Sequence, residues 1–318
     1  MGNLFSREFD PSTDVLDLQG KVAIVTGGNT GIGLATVRHL ARAGATVYLA
    51  ARNEARASAA IAQLAGEGLT EITWLKLDLD DPRDAQKAAQ EFLRREKRLD
   101  ILINNAGMIS APYKIGPDGV SVMAMVNYLS PFVFTRALTP LLVKTAREVG
   151  SDVRIVNVTS IAHRLVPSGV KFENIFDLNI EYRWRPLSGF IRYGHSKLMQ
   201  VLWTKSLQRH LNEDPLAPIT VISVHPGGVD TFTHTWPFPR LSKWVVGLTI
   251  ATTEIGAYNS LFAAASKRVA ADREKYKGAY LESQPTGRIA SPHKAALDEQ
   301  SGTQLWSLTE AFLDGIGV

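Results

Sequence analysis

The chain of 318 residues contains no cysteine. A disulfide, a cysteine-ligated zinc ion and a thiol nucleophile are therefore excluded. Histidine is also scarce, with 7 residues, and the spacing of His163, His195, His225 and His234 does not resemble a metal-ligand pattern. We expect these side chains to be structural or to line a pocket, and we expect no metal site.

The sequence also lacks a dominant charge. Its 35 lysine and arginine residues nearly balance 31 aspartate and glutamate residues, and the formal net charge of +4 is spread along the chain. Nucleic-acid binding usually needs a concentrated basic patch. A nucleic-acid partner is therefore not expected.

Long hydrophobic runs are missing as well. No segment combines the length and apolarity of a membrane span, and the first residues lack the apolar core of a secretory signal. We therefore expect a cytoplasmic protein. Gly2 and Ser6 nevertheless fit the Met-Gly-x-x-x-Ser/Thr pattern of N-myristoylation. The first residues are either an ordinary arm or an acylated segment that gives weak, peripheral membrane association.

What the chain does have is a regular alternation of β-branched runs and longer helical patterns. It predicts strands at 22–26, 46–50, 72–77, 101–104, 154–159 and 220–225, and helices at 31–43, 54–64, 82–95, 122–145, 192–210 and 253–265. Strands that are apolar on both faces suit a parallel sheet covered by helices. The right-handed crossover rule then favours a doubly wound α/β fold with helices on both faces.

One domain is favoured over two, because 318 residues with 45% apolar content suffice for one large core. We predict an N-terminal arm at 1–19 and a single domain at 20–318. Two insertions interrupt the alternation, near 165–190 and 232–250. The second contains Phe232, Trp236, Phe238 and Trp244, and it is either an apolar lid over a substrate or a structural flap.

A glycine-rich turn, Thr26-Gly27-Gly28-Asn29-Thr30-Gly31-Ile32-Gly33, joins the first predicted strand to the first predicted helix. Glycine permits a tight turn and close approach of the backbone to a ligand, and the N-terminus of a helix favours phosphate. In this position the turn predicts a dinucleotide site. The expected cofactor contacts are Gly27, Asn29, Thr30, Gly31, Ile32 and Gly33.

The end of the second predicted strand indicates which dinucleotide is bound. NAD-preferring sites generally place a carboxylate there for the ribose 2′-hydroxyl, whereas this strand ends in Ala51 and Arg52. Arg52 can pair with a 2′-phosphate. This favours NADP(H) over NAD(H). The alternatives are that Arg52 is simply solvated or stacks on adenine.

Tyr193 and Lys197 stand four residues apart in Tyr-Gly-His-Ser-Lys, within a predicted helix. Side chains at that spacing leave the same face of a helix, so a phenol and an ammonium can meet over one substrate. A cation that favours phenolate brings the phenol pKa closer to neutral pH, where general acid-base catalysis is most efficient. The pair alone is common on helix surfaces, so its meaning depends on the other motifs.

Together these motifs resemble the short-chain dehydrogenase/reductase family, and the resemblance runs from about Gly20 to the end of the chain. It assigns the adenine contact to Asp78 with Leu79, the Asn-Asn-Ala-Gly motif to Asn104, Asn105, Ala106 and Gly107, and the nicotinamide carboxamide segment to Pro226, Gly227, Val229 and Thr231. Asn127, Ser160, Tyr193 and Lys197 match the catalytic tetrad of the family. The finer pattern is similar to retinol-dehydrogenase-like and fungal members.

The resemblance implies a single-domain Rossmann fold and hydride transfer between nicotinamide and a carbonyl/secondary-alcohol pair on a small, lipophilic substrate. In that role Tyr193 is the general acid and base, Ser160 hydrogen-bonds the substrate oxygen, Lys197 holds the nicotinamide ribose, and Asn127 supports a water relay. Two other functions stay open: double-bond reduction or another natural-product step, and non-catalytic dinucleotide sensing. The long insertion between Ser160 and Tyr193 leaves pocket shape open, and it leaves open whether the protein is a homo-oligomer.

Overall fold

The computed structural model describes residues 8–109, 112–227 and 252–318. Within this part of the chain one sheet contains every strand. The strands are β1 (Val22–Thr26), β2 (Thr46–Ala51), β3 (Ile72–Lys76), β4 (Ile101–Asn104), β5 (Val153–Val158), β6 (Ile219–Val224), β7 (Tyr280–Ser283) and β8 (Thr286–Ile289).

Helices follow most of the strands. They are α1 (Pro11–Asp14), α2 (Gly31–Arg42), α3 (Glu54–Gly66), α4 (Pro82–Arg95), α5 (Val122–Ala124), α6 (Ser130–Ala146), α7 (Ser188–Leu211), α8 (Thr253–Ala265), α9 (Lys267–Ala271), α10 (Arg273–Tyr276) and α11 (Glu299–Gly315). Short 3₁₀ turns lie at Ile161–Leu165, Ile175–Leu178 and Lys294–Leu297, and a π-helical turn at Met125–Leu129 joins α5 to α6. None of the helices in the described ranges is long and apolar enough to cross a membrane.

The strand order is β3-β2-β1-β4-β5-β6-β7-β8. The neighbours from β3 to β7 pair in parallel, and β8 pairs with β7 antiparallel. From β1 the chain proceeds outwards to β2 and β3, and then returns to place β4 on the other side of β1. The prediction of a doubly wound α/β sheet is confirmed. The reversal between β1 and β4 is the switch point at which such sheets bind ligands, beyond the carboxyl ends of the strands.

Two apolar layers hold the helices on opposite faces of the sheet. On one face, α2, α3 and α8 bury side chains that include Leu40, Leu64 and Phe262. On the other face, α4, α6, α7 and α11 bury side chains that include Phe92 and Trp203. Each fully buried large side chain of this kind contributes roughly 1.5–3 kcal/mol to folding. Both faces are therefore covered, which explains why central strands such as β1 and β5 are buried along their whole length.

The segment before β1 packs on the domain. Phe9 and Leu18 are buried, and Phe9 makes an edge-to-face contact with Phe262 at a ring-centroid distance of 5.5 Å. The backbone N–H of Leu16 donates to the carbonyl oxygen of Ala265 at 2.9 Å. These contacts attach residues 9–18 to α8, and the N–H of Leu18 donates to the carbonyl oxygen of Ala43 at the end of α2 at 2.8 Å.

Several predicted boundaries differ from the structure. The single helix predicted at 122–145 is divided by the π turn Met125–Leu129, and the helix predicted at 192–210 begins four residues earlier as Ser188–Leu211. The prediction did not include β7, β8 or α11. The strands β7 and β8 are only four residues each and contain polar residues, so they lack the apolar pattern that identifies a buried strand.

Candidate active site

Helix α7 presents Tyr193 and Lys197 at the carboxyl edge of the sheet. It lies tightly against the 3₁₀ turn Ile161–Leu165 that follows β5, and Gly194 makes this approach possible. A Cβ atom added at Gly194 would lie 2.2 Å from the carbonyl oxygen of Ala162. The contact brings Tyr193 next to Ser160, which precedes the turn and accepts a hydrogen bond at Oγ from the N–H of Ala162 at 3.2 Å.

The ammonium of Lys197 is buried, and no carboxylate of the described residues is paired with it. Its Nζ donates to the carbonyl oxygen of Val158 at 2.8 Å and to Oε1 of Gln200 at 2.9 Å. Burial lowers the pKa of Lys197 to about 7, because the charged form loses its hydration. Nζ also lies 5.7 Å from the centroid of the Tyr193 ring. The two side chains therefore meet on one face of α7, as the spacing predicts.

The phenol of Tyr193 is buried as well, and only 7% of the residue is exposed. Burial raises the pKa of Tyr193 to about 12, and a hydrogen bond with Ser160 acts in the opposite direction. The prediction that a nearby cation brings this pKa closer to neutral is wrong for the structure described, because desolvation of the phenolate is the larger effect. A neutral phenol is the form that can donate a proton to a carbonyl oxygen.

Asn127 lies on the π turn and links the helix to the loop after β4. Its Oδ1 accepts from the N–H of Met108 at 2.8 Å, and its Nδ2 donates to the carbonyl oxygen of Met108 at 2.8 Å and to Oγ of Ser196 at 2.9 Å. Ser196 in turn donates to the carbonyl oxygen of Tyr193 at 2.7 Å. π turns often occur at functional sites, and this one places Asn127 between the loop and α7.

The glycine turn forms a cradle at the switch point of the sheet. Gly27 has φ +66°, and a Cβ atom added at Gly33 would lie 2.2 Å from the carbonyl oxygen of Gly27. Thr30 is the N-cap of α2, and among the described residues its side chain makes no hydrogen bond that caps the helix. The first N–H groups of α2 are therefore available to an anion. Asn29, Gly31 and Ile32 lie in the same turn, and the cradle fits a pyrophosphate.

The loop after β4 closes the opposite side of this cradle. Thr26 Oγ1 accepts hydrogen bonds from the N–H groups of Asn105 and Ala106 at 3.0 and 2.9 Å. A Cβ atom added at Gly107 would lie 3.1 Å from Oδ1 of Asn127 and 3.4 Å from Nζ of Lys197. The Asn-Asn-Ala-Gly motif thus connects the glycine turn directly to the catalytic candidates.

Arg52 follows β2 at the same edge of the sheet, and 65% of its side chain is exposed. Its Nη1 forms an ion pair with Asp80 at 2.6 Å and lies 3.8 Å from Asp78. Asp78 and the adjacent Leu79 follow β3, which pairs with β2. The residues predicted for the adenosine end of the cofactor therefore lie together, and Asp80 is an additional neighbour that the sequence interpretation missed.

The segment predicted to bind the carboxamide is only partly described. Pro226 and Gly227 follow β6, and a Cβ atom added at Gly227 would lie 2.8 Å from Oγ of Ser283. Val229 and Thr231 lie outside the described residues, as do the aromatic residues of the predicted lid, His234, Gly2 and Ser6. In the described part of the chain, no three His, Asp or Glu side chains are grouped in a way that could hold a metal ion.

A small, partly open pocket lies beside Tyr193 and shares wall residues with its apolar cluster. Met108 and Met123 belong both to the apolar cluster of Tyr193 and to the pocket wall. Other lining residues are Tyr113, Leu178, Ile180, Arg192, His195 and Met199. Burial lowers the pKa of His195 to about 4, so this ring is neutral near pH 7, and its Nδ1 lies 2.7 Å from the hydroxyl of Tyr182. The pocket wall has more apolar than polar surface, and Lys114 and Arg192 are its cationic residues.

The sequence analysis did not identify the residues that hold Tyr193 and Lys197 by hydrogen bonds. Gln200 and Ser196 lie on α7 beside Lys197 and Tyr193, and Oγ1 of Thr159 donates to the carbonyl oxygen of Lys197 at 2.9 Å. Ser196 stands three residues after Tyr193 and Gln200 three residues after Lys197, a spacing that places side chains on the same face of a helix. That spacing was the signal that could have identified them.

A doubly wound sheet, a glycine cradle at its switch point and a buried Tyr/Lys pair define a dinucleotide-dependent oxidoreductase. The family model for short chain dehydrogenase matches residues 21–170. A short-chain dehydrogenase/reductase of Armillaria gallica is 45% identical, covering 97% of each chain. Human retinol dehydrogenase 11 is 36% identical, covering 79% of this chain and 75% of its own length. The chain belongs to the short-chain dehydrogenase/reductase family.

Solved structures support the same assignment. A protein from Mycobacterium paratuberculosis is similar with a TM-score of 0.72 and 26% identity, covering 97% of this chain and 98% of its own. A short chain dehydrogenase from Burkholderia cenocepacia in complex with NADP has a TM-score of 0.61 and 27% identity, covering 84% of this chain and 97% of its own. Members of the family bind a nicotinamide dinucleotide and act on small molecules.

Proposed function

We propose that this protein is an NADP(H)-dependent oxidoreductase that interconverts a carbonyl and a secondary alcohol on a small, lipophilic substrate. The observation that carries the proposal is the buried arrangement of Tyr193, Lys197 and Ser160 beside the glycine cradle. A non-catalytic nucleotide sensor would not need a proton donor at this place. The complete set of side chains therefore favours catalysis over sensing.

The protein's own residues supply the proton chemistry. Tyr193 is neutral near pH 7, because burial raises its pKa, and it can donate its proton to a carbonyl oxygen or recover it from an alcohol. Ser160 hydrogen-bonds the same oxygen and stabilises its developing charge. The Lys197 ammonium attracts the tyrosinate that forms, and it would hold the nicotinamide ribose when the cofactor is bound. Asn127 fixes the loop that faces Lys197.

Nicotinamide, when bound, supplies or accepts the hydride. Gly27, Gly31 and Gly33 would hold the pyrophosphate at the N-terminus of α2, and Asp78 would lie at the adenine end. The exposed guanidinium of Arg52 supports binding of a 2′-phosphate, although it must exchange its ion pair with Asp80 for this. NADP(H) is therefore the proposed cofactor. The NADP complex of the related Burkholderia cenocepacia enzyme is consistent with it.

The substrate is proposed to be lipophilic because the pocket beside Tyr193 has more apolar than polar surface. Met108, Met123 and Met199 supply flexible walls. The similarity to human retinol dehydrogenase 11 also favours a lipophilic alcohol. Tyr113 and His195 provide polar groups that could orient one substituent.

The test is an NADPH-oxidation screen over ketosteroid, retinal, quinone, aliphatic and aromatic carbonyls, with Tyr193→Phe as the blank. We expect turnover of at least one lipophilic carbonyl, with the alcohol as product. Enones belong in the panel because saturation of the carbon–carbon bond would instead establish a double-bond reductase. Stoichiometric NADPH binding without turnover of any compound would contradict the proposal and favour a sensor.

Weak membrane association is a separate proposal that rests on the Gly2 and Ser6 pattern. A single myristoyl chain gives only marginal, reversible attachment. Exposed Phe176 and Trp184, with exposures of 77% and 85%, could add apolar contact. Mass spectrometry of the native N-terminus and fractionation of a Gly2→Ala variant test it. An unmodified N-terminus with unchanged fractionation would leave a cytoplasmic protein.

A further inference from the structure

The side chain of Gln200 is completely buried, and it contacts the ammonium of Lys197. Gln200 lies one helical turn after Lys197 on α7, and its Oε1 lies 2.9 Å from Nζ. The amide must present its oxygen to Nζ, because an ammonium donates hydrogen bonds and cannot accept them. Among the described residues Nε2 of Gln200 has no partner. An unpaired buried donor costs stability, so packing alone does not explain a glutamine here.

We propose that Gln200 is a positioning residue that keeps Lys197 protonated and aligned with Tyr193 without neutralising its charge. This inference rests on the proposed function of the same site. The amide oxygen and the carbonyl oxygen of Val158 accept two hydrogen bonds from Nζ. The ammonium has three donors, so one remains for a ribose hydroxyl.

The surroundings of Lys197 explain why a neutral acceptor is useful. Tyr193 faces it from α7, while neutral Asn127 and Gly107 face it from the π turn and the loop after β4. Within the described residues, no carboxylate contributes to the pKa of Lys197, which burial lowers. A carboxylate would keep the ammonium charged but would cancel the field that stabilises tyrosinate. An amide stabilises the ammonium and leaves its net charge in place.

The first test measures Lys197 directly, by carbon-13 NMR of lysine Cε, with Lys197→Met identifying the resonance. Gln200→Met keeps the length of the side chain and removes the acceptor. We expect the ratio of ammonium to amine at Lys197 to fall about tenfold or more at a fixed pH, as loss of a hydrogen bond to a charged group predicts. Gln200→Glu should raise that ratio. An unchanged titration in both variants would overturn the proposal.

Two controls separate positioning from folding. Gln208 is buried on the same helix and bonds the backbone of Val221, so Gln208→Met should lower stability without moving the titration of Lys197. If Gln200→Met does not fold, the titration of Lys197 in Gln200→Glu tests the proposal, and the ratio of ammonium to amine should rise there. If Lys197 also titrated differently in Gln208→Met, a general loss of packing would explain the effect and the proposal would fall.

NADPH affinity gives a second readout that needs no substrate. Because the ammonium is the form that binds the ribose, affinity should fall as pH rises through the pKa of Lys197. The midpoint of this fall should move to lower pH in Gln200→Met and to higher pH in Gln200→Glu. Identical midpoints in all three proteins would contradict the inference. The turnover of Tyr193→Phe tests the proposed function independently, so the two can fail separately.

Discussion

At the scale of a single residue, the burial of Lys197 lowers the stability of the fold. Burial lowers its pKa to about 7, from the ordinary lysine value of 10.5. Between these values the unfolded chain retains a proton that the folded chain has released, so the free energy of unfolding increases with pH. Well below pH 7, Lys197 is protonated in both the folded and the unfolded chain, so its contribution to the free energy of unfolding does not change with pH. The group therefore destabilises the fold most at neutral and acidic pH.

We predict that the free energy of unfolding of the wild type, minus that of Lys197→Met, rises between pH 7 and pH 9.5. The slope for one proton is at most about 1.4 kcal/mol per pH unit. Urea titrations at several pH values measure it. Lys171→Met removes an exposed lysine and controls for the loss of one charge. A flat difference for Lys197→Met would mean that the ammonium is not penalised by burial.

Arg52 is the residue that decides the cofactor in this account. We predict that Arg52→Ala weakens NADPH binding by about 1.5–3 kcal/mol, as expected for a charged hydrogen bond to phosphate, and changes NADH binding much less. Asp80→Asn removes the competing partner of Arg52 and should strengthen NADPH binding selectively. Fluorescence titrations of both nucleotides provide the affinities. Equal losses for NADPH and NADH in Arg52→Ala would remove the reason for preferring NADP(H).

The sequence predicted the Tyr193/Lys197 contact because spacing along a helix determines which side chains share a face. It could not predict the pKa direction of Tyr193, because that depends on how much water the rest of the fold excludes. The sequence also could not predict the Arg52–Asp80 ion pair. These residues are 28 positions apart and meet only because β2 and β3 are neighbours in the sheet.

At the scale of the elements, the docking of α7 on the turn after Ser160 depends on Gly194. We predict that Gly194→Ala costs about 1–3 kcal/mol by overpacking and lowers turnover strongly, because α7 must move away from the carbonyl of Ala162. The matched control is Gly189→Ala on the same helix, where an added Cβ would lie 3.7 Å from the nearest atom, Nη2 of Arg192. That variant should be neutral or slightly stabilised. Thermal unfolding and turnover measure both variants, and a fully active, stable Gly194→Ala would contradict the docking argument.

Element boundaries could be read from the sequence where local signals agree. The strands Val22–Thr26 and Ile101–Asn104 and the helix Pro82–Arg95 match their predicted ranges. In the helix, Asp81 is the N-cap and Pro82 the first residue, which are strong start signals. The π turn around Asn127 has no such signal, because it depends on tertiary contacts of Asn127 with the loop at Met108.

At the scale of the whole molecule, the crossover rule predicted the doubly wound sheet, but not its full strand order. Antiparallel β8 and helix α11 complete the sheet and its covering layer. Their role becomes visible only in three dimensions, because short polar strands acquire their pairing from β7 and not from their own pattern. The switch point and its two loops were nevertheless predictable, because glycine and asparagine motifs follow β1 and β4 directly.

In the proposed reaction, bound NADPH would supply the hydride and Tyr193 the proton. The most direct test of this claim is single-turnover NADPH oxidation with an active carbonyl compound, in wild type and Tyr193→Phe, alongside the NADPH dissociation constant of each. We predict a rate loss of about 10²–10⁴-fold, as expected for loss of a general acid, with NADPH affinity nearly intact. A Tyr193→Phe variant that binds NADPH and oxidises it at close to the wild-type rate would contradict the account.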